Sequence, residues 1–213
     1  MRSAAKPLPL GSKTNGPPRL IGLAGPSGAG KTTLARALQT HLPGSATVLS
    51  LDSYYRDLAD LSLAERARVN FDAPEAMDHQ RLAADLRQLA VGRRVEIPVY
   101  DFATHTRQAH QHSLIPTDFL LVEGLFALYW SDINALYHLR LFVTADDSLC
   151  LERRLTRDHV ERGRSPASIR AQYQEQVRPM YHRHIQPTAR YADLILDGST
   201  PTKEQVVSVL TAL

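Results

Sequence analysis

The chain has 213 residues, enough for one domain that buries a substantial core. Its formal net charge of +3, from 25 basic and 22 acidic side chains, is too small an excess to indicate nucleic-acid binding. A single cysteine excludes an intrachain disulfide, and no apolar run approaches the roughly 20 residues of a membrane span. We therefore expect a cytoplasmic protein without a membrane or nucleic-acid partner.

The domain organisation follows from a change in composition near the N-terminus. Residues 1–18 are rich in Pro, Gly, Ser and Lys and offer little apolar surface, which predicts a disordered tail. Residues 19–213 are expected to form one domain.

Residues 25–32 read GPSGAGKT and fit the phosphate-loop pattern GxxxxGK[ST]. Residues 19–24 before them form an apolar run typical of a strand, and residues 33–38 after them carry leucines four apart, as on a helix face. Backbone N–H groups at such a helix start bind anions. Lys31 would reach the β- and γ-phosphates, and the Thr32 hydroxyl would hold Mg²⁺. The pattern favours a nucleoside triphosphate site over an unliganded glycine turn, formed by Gly25, Ser27, Gly28, Ala29, Gly30, Lys31, Thr32 and Thr33.

Two further apolar runs end in acids. Residues 46–51 lead into Asp52, and residues 118–122 lead into Glu123. Because ligands bind beyond the carboxyl ends of parallel strands, both carboxylates are expected to face the substrate. Glu123 occupies the Walker-B position, where it would orient Mg²⁺, and Asp52 has the alternative interpretation of a helix cap or turn residue.

The remaining pattern predicts an α/β protein with a three-layer P-loop NTPase fold, a five-stranded parallel sheet and helices on both faces. The other predicted elements are helices at 62–69, 78–91, 146–160 and 165–185, strands at 139–144 and 193–196, and a final helix from Thr202 with capping-box spacing to Gln205.

A β-hairpin insertion over the site is predicted at about residues 95–117. Val95, Ile97 and Val99 alternate, and Tyr100 and Phe102 share the opposite face of the same strand. A polar stretch from Ala103 to His112 then leads to a second strand near residues 114–115.

Five arginines crowd residues 153–164: Arg153, Arg154, Arg157, Arg162 and Arg164. A solvated basic helix face is the common interpretation of such a run. Next to a triphosphate site, the run instead predicts an arginine-rich lid that grips phosphates.

These residues resemble the uridine/cytidine kinase family of P-loop kinases over roughly residues 20–196. The resemblance is carried by GPSGAGKT at 25–32, DSYY at 52–55, NFDAP at 70–74, PVYDF at 98–102 with His105 and Arg107, EG at 123–124, RRLTRD at 153–158 with ERGR at 161–164, and YAD at 191–193.

The resemblance implies transfer of the ATP γ-phosphoryl group to the ribose 5′-hydroxyl of uridine or cytidine, with Mg²⁺. Asp52 matches the catalytic base, and Lys31 and Arg157 match groups that offset the charge of the transferred phosphoryl group. Arg157 and Arg162 resemble phosphate contacts. The nucleoside contacts implied by the family are Tyr55, Asp72, Tyr100, Phe102, His105, Arg154, Arg164 and Gln172. Family members are often homotetramers, which we carry as an expectation.

Several alternatives stay open at this point. A phosphoribulokinase-like or pantothenate-kinase-like enzyme would keep the loop and lid but lack the aromatic pocket. A regulatory GTPase would need an Asn-Lys-x-Asp segment, which the sequence lacks. The histidines at 105, 110 and 112 lack the carboxylate or cysteine that would complete a zinc site. Leu196 is followed by Asp-Gly-Ser-Thr-Pro rather than the family's Pro-Arg-Gly-like loop, which leaves the donor open between ATP and GTP.

Overall fold

The computed structural model describes residues 16–213, apart from the side chains of Glu161 and Arg162. The predicted tail therefore lies almost wholly outside the described residues and stays a prediction. Within the described part, five parallel strands form one sheet and two antiparallel strands form a separate hairpin. The sheet strands are β1 (Arg19–Ala24), β2 (Ala46–Ser50), β5 (Phe119–Glu123), β6 (Leu139–Thr144) and β7 (Leu194–Asp197), and the hairpin strands are β3 (Val95–Asp101) and β4 (Thr106–Leu114).

The helices in chain order are α1 (Lys31–His41), α2 (Leu63–Arg66), α3 (His79–Ala90), α4 (Ser131–Asn134), α5 (Asp147–Arg162), α6 (Pro166–Gln172), α7 (Arg178–Met180) and α8 (Thr202–Ala212). The π-helical turn Tyr173–Val177 connects α6 to α7, and a second one, Tyr181–Ile185, follows α7, so that the whole run matches the predicted helix at 165–185. Three 3-10 turns complete the described helical structure: Leu51–Tyr54, Pro74–Ala76 and Gln186–Tyr191.

The sheet is covered on both faces, which confirms the predicted three-layer α/β fold. Successive side chains of β1 point to opposite faces, so Leu20 joins one buried cluster and Ile21 joins the other. The first cluster includes Leu86 of α3, and the second includes Leu34 of α1 and Val209 of α8. Burial on both faces explains why the strands read as continuous apolar runs.

The strand order β2-β5-β1-β6-β7 positions the site. β1, which leads into the phosphate loop, is the central strand, β2 is at one edge and β7 is at the other. Because all five strands are parallel, the segments that follow them emerge at the same edge of the sheet.

The hairpin departs from its prediction. β4 begins at Thr106, so most of the stretch expected to be a polar connection is a strand paired with β3. Its side chains are mainly exposed and therefore need not be apolar. The pairing register shifts between Pro98 and Tyr100, and Tyr100 is buried in the same cluster as Val95 and Ile97.

The predicted capping box of the last helix was wrong. Pro201 precedes α8 and no side chain caps it. The Gln205 amide instead donates to the backbone oxygens of Asp197 and Thr200, 3.1 and 2.7 Å away. Gln205 thus fixes the turn between β7 and α8. The helix predicted at 62–69 is also shorter, because α2 ends at Arg66.

Candidate active site

The phosphate loop lies between β1 and α1 and packs directly on neighbouring backbone. Gly25 has a φ of 145°, and a Cβ there would overlap the carbonyl oxygen of Val143 in β6. At Gly28, with a φ of 89°, a Cβ would lie 2.6 Å from the Cys150 carbonyl oxygen of α5. Both positions need glycine, because the backbone has a positive φ and because neighbouring backbone atoms leave no room for a Cβ. The loop is therefore held against β6 and α5.

Lys31 is the first residue of α1, and its side chain lies beneath the loop. Lys31 is only 8% exposed, and its Nζ donates to the Pro26 carbonyl oxygen at 2.8 Å. Burial lowers the pKa of Lys31, whereas the carboxylates of Glu123 and Asp52 act in the opposite direction. The ammonium is thus positioned inside the loop, next to two acids that follow neighbouring strands.

Thr32 and Glu123 meet at the carboxyl end of β5. The Thr32 hydroxyl donates to Glu123 Oε2 at 3.3 Å, and Glu123 is 5% exposed. A hydroxyl and a carboxylate are hard oxygen donors, and Mg²⁺ commonly binds to one or two such protein groups and completes its shell with water and phosphate. The two residues predicted to hold the metal therefore fit that ion.

Asp52 lies in the 3-10 turn that follows β2. The Ser50 hydroxyl caps this turn by accepting from the Asp52 N–H at 3.4 Å. Asp52 lines the same cleft as Lys31 and Glu123. A turn position and a catalytic position are thus compatible here, because the capped turn directs the carboxylate to the carboxyl edge of the sheet.

Aromatic side chains form the wall of the cleft next to Asp52. The Tyr55 ring lies 5.5 Å from Phe71 and 5.4 Å from Tyr100, measured between centroids. Phe71 stacks on His105 with a centroid distance of 4.5 Å and an interplanar angle of 17°. His105 has a φ of 55°, in the left-handed region, at the tip of the hairpin. Phe102 is 5.2 Å from Tyr100, so the hairpin supplies one side of the pocket.

One acid organises three of the lid arginines, Arg154, Arg157 and Arg164. Asp158 is fully buried, and its carboxylate lies 2.9 Å from Arg157 Nε, 3.4 Å from Arg154 Nε and 3.9 Å from an Arg164 terminal nitrogen. Gln172 Oε1 accepts from Arg154 at 3.0 Å and from Arg164 at 2.6 Å. Protein side chains therefore orient these three guanidinium groups.

Most predicted site residues meet in one cleft of about 1420 Å³ at the carboxyl edge of the sheet. Those that line it are Ser27, Gly28, Ala29, Gly30, Lys31, Thr32, Thr33, Asp52, Tyr55, Asp72, Tyr100, Phe102, His105, Glu123, Arg154, Arg157, Arg164 and Gln172. Gly25 lies below the loop against β6, and the Arg162 side chain is outside the described residues. The structure brings the predicted residues together, and their individual roles stay predictions.

Sequence reasoning placed Arg153 only in the lid, and it assigned no role to three further features that the structure places in or beside the cleft: Phe71, Asp158 and the segment 198–202. The stack of Phe71 on His105 joins residues 34 positions apart in sequence, and no local pattern reports such a pair. The position of Asp158, an acid within a run of arginines, could have indicated that it pairs with them.

A family model matches residues 20–204, and its description is phosphoribulokinase / uridine kinase family. The chain belongs to this family. Among curated relatives, the uridine kinase of Streptococcus uberis is 43% identical over 180 residues, which cover 84% of this chain and 86% of that one. The uridine kinase of Streptococcus gordonii is 38% identical over 197 residues, covering 92% and 94%.

A solved structure shows the same fold. Phosphoribulokinase from Rhodobacter spheroides aligns with a TM-score of 0.64 at 18% identity, covering 87% of this chain and 74% of that one. At that identity the likeness concerns the fold alone. Across residues 16–213, the helices are too short or too polar to cross a bilayer.

Proposed function

We propose that the protein transfers the γ-phosphoryl group of ATP to the ribose 5′-hydroxyl of uridine or cytidine. The observation that carries the proposal is the placement of Asp52 and an aromatic pocket beside the phosphate loop, in one cleft. Relatives that share about 40% of their residues with this chain and are matched over most of their length are uridine kinases.

Asp52 is the proposed general base. A hydroxyl is a weak nucleophile, and a carboxylate beside the phosphate loop would accept the 5′-OH proton as the oxygen attacks the γ-phosphorus. The new bond forms between the 5′-oxygen and phosphorus while the bond to the bridging oxygen of ADP breaks. The electron pair of the broken bond leaves on ADP.

Cationic groups would offset the charge of the transferred group. Lys31 lies within the loop, and Arg157 points into the cleft while its Nε is held by Asp158. Bound through Thr32 and Glu123, Mg²⁺ would supply further positive charge at the donor phosphates. Arg162 is carried as a phosphate contact by resemblance.

The nucleoside would occupy the aromatic end of the cleft. Asp72 is buried, and its carboxylate suits the ribose hydroxyls. Burial raises the pKa of Tyr55 above its usual range, and the carboxylates of Asp52 and Asp72 add to the shift, so its hydroxyl is a neutral donor. Tyr100 and Phe102 would enclose the flat base.

His105 would read the edge of the base, since neutral imidazole can donate or accept and so can serve uracil and cytosine. Arg154, Arg164 and Gln172 already bond to one another and would contact the nucleoside as a unit.

Further features belong to the same proposal. The reaction fits pyrimidine salvage in the cytoplasm, without a membrane or nucleic-acid partner. GTP is a second candidate donor because the loop after β7 differs from that of the family. The homotetramer rests on resemblance alone.

The first test is ADP release with Mg²⁺ and ATP against a panel of acceptors: uridine, cytidine, thymidine, adenosine, ribulose 5-phosphate and pantothenate. We expect turnover with uridine or cytidine only. Turnover with ribulose 5-phosphate or pantothenate, without reaction of a pyrimidine nucleoside, would replace the proposed function by the alternative within the family.

A further inference from the structure

Arg153 makes contacts unlike those of Arg154, Arg157 and Arg164. Its NH1 donates to the carbonyl oxygens of Gly28 and Ala29 at 3.1 and 3.3 Å, and its NH2 donates to the Gly198 carbonyl oxygen at 3.0 Å. The first two acceptors belong to the phosphate loop, and the third belongs to the segment that follows β7. One guanidinium therefore joins two separate segments of the cleft.

The joined segments also touch directly. A Cβ at Gly198 would overlap the carbonyl oxygen of Ala29, so the backbone after β7 lies against the backbone of the phosphate loop. The turn is fixed from the other side by Gln205, which donates to the carbonyl oxygens of Asp197 and Thr200. Arg153 closes this arrangement from α5.

The sheet order indicates which half of the reaction this arrangement serves. The proposed acceptor pocket follows β2 at one edge, the phosphate loop follows the central β1, and Gly198 follows β7 at the other edge. Neighbouring strands are about 4.8 Å apart, so segments following β2 and β7 are separated by about 19 Å. If the acceptor lies on the β2 side, the ribose and base of the donor leave the loop on the β7 side, where residues 198–202 line the cleft.

We propose that Arg153 is a positioning residue for the phosphate donor: it holds the segment 198–202 against the phosphate loop and so shapes the place for the donor nucleoside. The assignment of donor and acceptor sides rests on the proposed function. Arg153 acts through backbone carbonyl groups, and its positive charge is not the decisive property.

An arginine suits this task because its planar fork holds two nitrogens at a fixed spacing. A lysine at the same position keeps the charge but has a single ammonium nitrogen, which cannot reach both segments with the same geometry. Arg153→Lys therefore keeps the positive charge but loses the hydrogen bonds that join the two segments. Arg153→Gln removes both.

The test measures binding of Mg²⁺–ATP by isothermal titration calorimetry without a nucleoside, and the KM values of ATP and uridine in steady state. For Arg153→Gln we expect the Kd and the KM of ATP to rise about tenfold, the loss expected for hydrogen bonds of ordinary strength. We expect the KM of uridine to stay within about twofold, since the acceptor pocket is untouched. Arg153→Lys should resemble Arg153→Gln.

The control is Arg183→Gln, a change of the same kind at an exposed residue outside the cleft lining. Unchanged ATP binding in Arg153→Gln, or an equal rise in both KM values, would overturn the proposal, as would wild-type ATP binding in Arg153→Lys. The calorimetric measurement needs no acceptor. A wild-type enzyme that binds ATP but phosphorylates no pyrimidine nucleoside would refute the proposed function and leave the role of Arg153 in ATP binding testable.

Discussion

At the scale of single residues, the central assignment is Asp52. The residue follows β2 in a capped 3-10 turn, and it shares the cleft with Lys31 and Glu123. Lys31 begins the helix after the phosphate loop, where its ammonium donates to the Pro26 carbonyl oxygen, a position that suits phosphate binding. Glu123 ends β5 and accepts from the Thr32 hydroxyl, a pair that suits metal binding. Asp52 is the cleft carboxylate that lies closest in sequence to the aromatic pocket residue Tyr55.

We expect Asp52→Asn to lower kcat on the order of 10²- to 10⁴-fold, because the amide keeps the shape but cannot accept the 5′-OH proton. Steady-state turnover with uridine measures the effect. Asp60→Asn, at an exposed carboxylate outside the cleft lining, is the matched control and should leave kcat unchanged. Turnover of Asp52→Asn near the wild-type rate would remove Asp52 from the mechanism.

Motif residues could be predicted from the sequence because the phosphate loop has fixed spacing and because Asp52 and Glu123 mark the ends of two strands. Contacts between distant segments could not. The stack of Phe71 on His105 depends on how the hairpin folds over the sheet, and the burial of Asp158 depends on three arginines that converge from different positions. Neither arrangement has a periodic signal in the sequence.

At the scale of elements, the phosphate loop is the segment with the least tolerance for added atoms. Gly25 combines a positive φ with direct contact to the Val143 carbonyl of β6, whereas Gly92, with a φ of 79°, has open space around its missing Cβ. Alanine substitutions at these two glycines therefore separate the cost of backbone strain from the cost of a steric clash.

Gly25→Ala should lower the free energy of unfolding by at least about 2 kcal/mol, since the new methyl group overlaps backbone that cannot move away. Gly92→Ala should cost about 1 kcal/mol, from the left-handed conformation alone. Urea denaturation gives both values. Equal losses in the two variants would show that the loop is not packed tightly on β6.

The outer pair of the sheet, β6 and β7, is joined by Arg140 and Asp193. The carboxylate accepts from Arg140 Nε at 2.9 Å and from NH2 at 2.8 Å, and this bonding holds the pKa of Asp193 below its ordinary value of 3.8. A lowered folded pKa means that the stabilisation is full above 3.8 and is lost as the pH falls below that value.

Asp193→Asn should therefore be less stable than the wild type near neutral pH, and the difference should shrink as the pH falls below 3.8. Both side chains are about one-third exposed, so solvent screening limits the effect to about 0.5–1 kcal/mol. Denaturation curves of both proteins across that range measure it. A difference that stays constant as the pH falls would contradict the role of the ion pair.

The elements differ in how well they could be predicted. The inner strands β1, β5 and β6 are mostly buried and, like the edge strands β2 and β7, read as apolar runs, so the positions of all five were clear. β4 is a polar strand exposed to solvent, and only its pairing with β3 defines it. The register shift between Pro98 and Tyr100 depends on the same pairing, and no sequence pattern indicates it.

At the scale of the whole molecule, the sheet order divides the cleft into two halves around the central β1. The β2 side carries Asp52 and the hairpin, and the β7 side carries the segment held by Arg153. This division is what a transfer between two nucleosides requires, because the phosphoryl group must pass between them at the phosphate loop. The small net charge gives no reason to place a nucleic acid in the cleft.

The most direct test of this account compares uridine with 5′-deoxyuridine as acceptor and identifies the product by ³¹P NMR. The account predicts uridine 5′-monophosphate from uridine and no phosphorylated product from 5′-deoxyuridine, because that compound lacks the hydroxyl that we propose Asp52 activates. Phosphorylation of 5′-deoxyuridine, or a product phosphorylated at the 2′- or 3′-oxygen, would contradict it.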